Sequence, residues 1–160
     1  MYFALGETDF FPFHKMSFAA QDWEYLATLD GLFNTDTTAN TQTSISDDDV
    51  LRTKFKEFGF YTVKNPITAA TYDVNNAIET AIPTSDLYVV FLNTAACDNR
   101  NFELMKEMSD PGLQLQYLET ELKDADANNK AVWIVGNLPP GSPTCNHRWA
   151  ERYNYIVERY

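Results

Sequence analysis

The sequence predicts an α/β domain, and three observations carry that expectation. Two short, almost continuously apolar runs, Asp86-Leu87-Tyr88-Val89-Val90-Phe91-Leu92 and Ala131-Val132-Trp133-Ile134-Val135, read as buried strands. Between them Leu115, Leu118, Leu122 and Ala125 recur at spacings of three and four, the apolar stripe of a helix. Strand and helix alternate along the chain, the order that builds a sheet covered by helices. With 160 residues, 44% of them hydrophobic and 14% aromatic, the chain can bury one substantial core, so a single domain over 1–160 is expected.

The opening Tyr2-Phe3-Ala4-Leu5 reads as the end of a buried strand, broken by Gly6 into a loop that carries Glu7, Thr8 and Asp9. After the aromatic loop Phe10-Phe11-Pro12-Phe13, Ser17 is placed to cap a helix over 19–33, with Trp23, Leu26 and Phe33 on one face. Such aromatics near a strand end read as core before they read as a ligand groove. Asn34 to Ser46 is rich in Thr, Asn, Asp and Ser, an exposed loop. Ser46 with Asp47, Asp48 and Asp49 then caps a helix running to Phe58. The acidic triplet lacks the glycine and terminal glutamate of a calcium loop, which favours capping over ion binding.

Phe60-Tyr61-Thr62-Val63 reads as a short strand, and a helix is expected near Val74 to Ala81 before the central strand over 86–92. Asp110-Pro111 starts the next helix, because Asp accepts the first free amides and Pro tolerates the first helical position. That helix should end near Asn128. The following strand is expected to be buried and is halted by Gly136-Asn137-Leu138-Pro139-Pro140-Gly141, where a site at a strand's carboxyl end would lie. A last helix over 147–159 would place Trp149, Tyr153 and Ile156 on one side.

Charge narrows the function. With 23 acidic against 12 basic residues the formal net charge is -11, and no dense Lys/Arg cluster is present to neutralise a phosphate backbone, which argues against nucleic acid. The acidity reads as solubility. No run reaches the ~18 apolar residues of a membrane span. The first residues show neither a basic leader nor a secretory apolar stretch, so no signal peptide is expected in this chain. Two cysteines, Cys97 and Cys145, suit one bridge at most, and composition alone leaves a disulfide and two buried thiols both open. His14 and His147 read as polar surface or partly buried side chains rather than ligands.

The run from Asp110 to Leu118, D-P-G-L-Q-L-Q-Y-L, then V-W-I-V-G-N-L-P-P-G over 132–141, then Trp149 to Tyr160, resembles the acid sphingomyelinase and sphingomyelinase-like phosphodiesterase family of calcineurin-like metallophosphoesterases. That family reads D-P-x-x-Q-L-x-W-L, I-I-G-H-I-P-P-G and W-x-x-x-Y-x-x-I-x-x-R-Y. At the other end, Phe3 to Pro12 is similar to the family's strand and G-N-H-[DE]-x-x-P turn. The likeness is poor between Asn34 and Ser85.

The resemblance implies a partial αββα sandwich, an incomplete phosphoesterase domain. Family members hold two zinc or similar divalent ions through five sequence blocks, and this sequence offers counterparts of two of them. Where the family has its Asn ligand stands Glu7; where it has a His acting on the leaving oxygen stands Thr8; where it has the later His ligand stands Asn137. Neither Asn137 nor Thr8 can replace an imidazole near neutral pH. Hence no catalytic residue, no metal site and no cofactor are expected, and the chain should act as a structural or interaction subunit whose exposed flank takes a protein partner. The alternative is one part of an active phosphodiesterase completed by another segment or chain; lipid binding without chemistry is a weaker third. The resemblance also implies a Cys97–Cys145 disulfide and with it a secreted, lumenal or lysosomal location.

Overall fold

The computed structural model describes residues 16–18, 55, 57–64, 68–72, 79–83, 86–106 and 109–160. Strand β1 is Tyr61–Lys64, β2 Thr68–Tyr72, β3 Glu79–Pro83, β4 Leu87–Phe91 and β5 Ala131–Val135. Helix α1 is Gln114–Ala127 and α2 His147–Val157, and short 3-10 turns lie at Thr94–Cys97, Phe102–Lys106 and Pro111–Leu113. The described strands form two sheets: one of order β1-β4-β5, with β1 antiparallel and β5 parallel to β4, and an antiparallel β2-β3 pair. The chain is thus α/β, with a small mixed sheet.

β4 is central because it has no outward face. Alternate residues of a strand point to opposite sides. Val89 and Phe91 meet Met16, Phe18, Phe55, Tyr61 and Val63 in one cluster, while Val90 and Leu92 meet Leu115, Leu118, Leu122 and Trp149 in another. The Tyr61 and Phe91 rings stack with centroids 4.8 Å apart, across the cross-strand pair that sets the β1–β4 register. Each such fully buried aliphatic or aromatic side chain contributes about 1.5–3 kcal/mol. The expected stripe of α1 is the one that is buried: Leu115, Leu118, Leu122 and Ala125.

The start of α1 differs from the sequence expectation in an instructive way. Pro111 does not open the α-helix; it opens a 3-10 turn in which Gly112 and Leu113 take φ of 64° and 56°. The Asp110 carboxylate nevertheless reaches the free amides, accepting from Leu115 N at 2.8 Å and Gln116 N at 3.0 Å. Gly112 is required by more than its φ: a Cβ there would lie 3.0 Å from Phe18 and 3.1 Å from Phe58. Asn146 caps α2, its side chain accepting from Arg148 N and Trp149 N.

Two other expectations are corrected. The helix near Val74 to Ala81 is not formed over its last residues: Glu79 to Pro83 pairs antiparallel with Thr68 to Tyr72, Tyr72 opposite Glu79. Cross-strand hydrogen bonds to another segment override a weak local periodicity. β5 is not a buried strand either. It lies at the edge of the described sheet, and while Val132 and Ile134 face the helix layer, Trp133 is 63% exposed on the other side. The helix expected over 19–33 and the start of the one ending at Phe58 lie outside the described residues.

Tyr117 links α1 to β1, its hydroxyl donating to Thr62 Oγ1 at 2.8 Å. Burial pushes this hydroxyl from 10.0 up to about 12. The folded state therefore holds the proton more tightly than the unfolded chain. This contribution to stability is complete below the unfolded value of 10.0 and is lost as pH rises toward about 12. We expect Tyr117→Phe to remove a measurable part of the alkaline loss of stability. Urea unfolding at several pH values in that window checks it, and identical slopes for both proteins would count against the assignment.

Candidate functional site

Because β4 and β5 are parallel neighbours, their carboxyl ends come out side by side, and the loops that follow are forced into contact. Leu92 N donates to Val135 O at 2.8 Å, carrying the ladder one step past β4. From there Asn93-Thr94 and Gly136-Asn137-Leu138 run against each other. The Thr94 hydroxyl oxygen accepts from both Asn137 N at 3.2 Å and Leu138 N at 2.8 Å. It holds the turn by two successive amides.

The approach is close enough to demand glycine at 136, since a Cβ there would fall 2.7 Å from Thr94 Cγ2. Gly136→Ala should therefore destabilise the fold by about 1–3 kcal/mol, the usual cost of overpacking. Adding Thr94→Ser removes the clashing methyl and keeps the accepting oxygen. The double variant should recover most of the loss in chemical denaturation; failure to recover would show that the close contact is not the cause.

A second set of contacts fastens the same loops further out. Cys97 and Cys145 are disulfide-bonded with Cα atoms 4.8 Å apart, the pairing the resemblance implied. Around the bond, Asn146 N donates to Cys97 O at 2.6 Å and Asn99 N to Thr144 O at 2.8 Å, and Asp98 bridges to Cys145. Beneath them the Gln114 amide clasps the Asn93 backbone from both sides, its Oε1 accepting from Asn93 N at 2.6 Å and its Nε2 donating to Asn93 O at 3.1 Å. Asn93 Nδ2 donates to Phe58 O at 2.8 Å, and Asn101 Nδ2 to Met16 O at 2.8 Å. These buried amides tie Met16 and Phe58 to the segment that follows β4, each making bonds that water would otherwise supply.

Of the residues singled out from sequence, Asn137 sits on the exposed turn after β5, its amide held by Thr94, whereas Glu7 and Thr8 lie outside the described residues. His147 is a surface residue, its side chain 84% exposed and 3.5 Å from Glu151 one helical turn on. His14, Phe10, Phe11, Phe13 and Trp23 also lie outside the described residues. Sequence reasoning missed Asn93, Thr94 and Gln114 as builders of this site. Gln114 stood inside the quoted D-P-x-x-Q motif, and Asn-Thr directly after an apolar strand was the other visible signal.

The turn and α2 enclose a cleft of about 280 Å³ whose lining includes Leu92, Ile134, Leu138, Pro140, Trp149 and Tyr153. Among the described residues no three His, Cys, Asp or Glu side chains come together as a metal-ligand set. Asn137 offers one neutral amide oxygen where binding a zinc-like ion calls for several converging anionic or imidazole donors. The described part of the turn does not fit such an ion. Among the described residues, no helix is long and apolar enough to cross a membrane.

No family model matches the chain. It is similar to Sphingomyelin phosphodiesterase B of Dictyostelium discoideum, 37% identical over 76 residues, and to Sphingomyelin phosphodiesterase of Bos taurus, 40% identical over 78. It is also 38% identical over 79 residues to Acid sphingomyelinase-like phosphodiesterase 3b of Homo sapiens. These stretches cover 48%, 49% and 45% of this chain but only 12%, 12% and 17% of the relatives. The matched stretch thus spans less than a fifth of each of these proteins. Over about half its length this chain is thus similar to a part of the sphingomyelin phosphodiesterases and acid sphingomyelinase-like phosphodiesterases, as the motifs implied.

Proposed function

We propose that this chain is a catalytically silent sphingomyelinase-like phosphoesterase homologue, a structural or interaction subunit of a larger assembly built on part of a metallophosphoesterase-type sandwich. One observation carries the reading. The turn after β5 is held by the Thr94 hydroxyl, the close-packed Gly136 and the Cys97–Cys145 bond, yet the residue it presents is Asn137. A site whose scaffold persists while its reactive side chain is an amide supports retention for shape. An amide neither transfers a proton near neutral pH nor matches an imidazole as a ligand.

The outward face of β5 supports the interaction part of the reading, because Trp133 stands 63% exposed on a strand with no charged residue. A protein partner covering that flank is the proposed occupant. The disulfide supports an oxidising compartment, secreted, lumenal or lysosomal. No metal cofactor is part of this proposal.

The second reading is one part of an active metal-dependent phosphodiesterase, favoured by the carboxylate of Glu7 at a position where the resemblance puts a ligand. Metal analysis of the purified chain together with a phosphodiester-hydrolysis assay separates the two. We expect no stoichiometric divalent ion and no turnover above buffer. Two bound ions with hydrolysis abolished by Glu7→Ala would overturn the silent reading in favour of the enzyme.

A further inference from the structure

We draw no further inference here: the strongest candidate, the cleft between the 136–141 turn and α2 with the buried Trp149 in its wall, belongs to the site already described, and nothing in the structure shows which occupant it would take.

Discussion

Replacing Cys97 and Cys145 together by serine is expected to lower stability by about 4 kcal/mol, the chain-entropy value for a closed loop of this length. The bond joins residues 48 apart, so in the unfolded chain it removes a large share of the conformations otherwise open to the segment holding α1 and β5. In the folded state both cysteines are buried beside the hydrogen bonds that fasten Asn99 to Thr144 and Asn146 to Cys97, so cutting the link also loosens those contacts. Urea unfolding of the oxidised, reduced and double-serine proteins checks the expectation. The reduced and serine forms should agree with each other and unfold with a steeper denaturant dependence, because their unfolded chains expose more surface. A loss below about 1 kcal/mol would mean that the bond contributes little beyond the contacts around it.

Trp149→Ala should cost about 3–5 kcal/mol, the range for truncating a large buried aromatic. Trp149 is 1% exposed and sits where α2, α1 and the β4 end converge, in the cluster with Leu92, Leu115, Leu118 and Cys145. Its ring stacks on Tyr153, centroids 5.6 Å apart and planes 13° from parallel. Trp149→Phe is the informative companion. It keeps an aromatic face for Tyr153 while removing an indole N–H that finds no acceptor among the described residues, a group whose burial costs about 1–3 kcal/mol. That gain offsets part of the lost packing, so the phenylalanine variant should lose less than half of what alanine loses. Equal losses in thermal or urea unfolding would show that ring volume alone matters at this position.

Much of the second half of the chain was legible from local pattern. The stripe of Leu115, Leu118, Leu122 and Ala125, the carboxylate of Asp110 at the helix start, and the apolar run of β4 each depend on residues within a few positions of one another. The failures share a cause. Glu79 to Ala81 became strand because Thr68 to Tyr72 lies alongside, and Trp133 became exposed because it alternates with Val132 and Ile134, which take the face packed against the helix layer. Neither the partner strand nor the choice of covered face is written in the residues around those positions. The site divides the same way: Asn137 could be singled out within a motif, whereas Thr94 could not, since its role comes from the backbone amides of a loop 43 and 44 residues away.

From residues in order alone came the α/β class, the helix and strand of the 110–141 region, the likeness to part of the sphingomyelin phosphodiesterases and the amide at position 137. Periodicity, capping and motif are short-range properties, encoded in neighbouring side chains. Which strands pair, that Cys97 meets Cys145, that Gly136 has no room for a methyl beside Thr94, and that Gln114 clasps Asn93 were decided only in three dimensions. Those contacts join segments tens of residues apart, and their energies exist only once the parallel ends of β4 and β5 bring the two loops together.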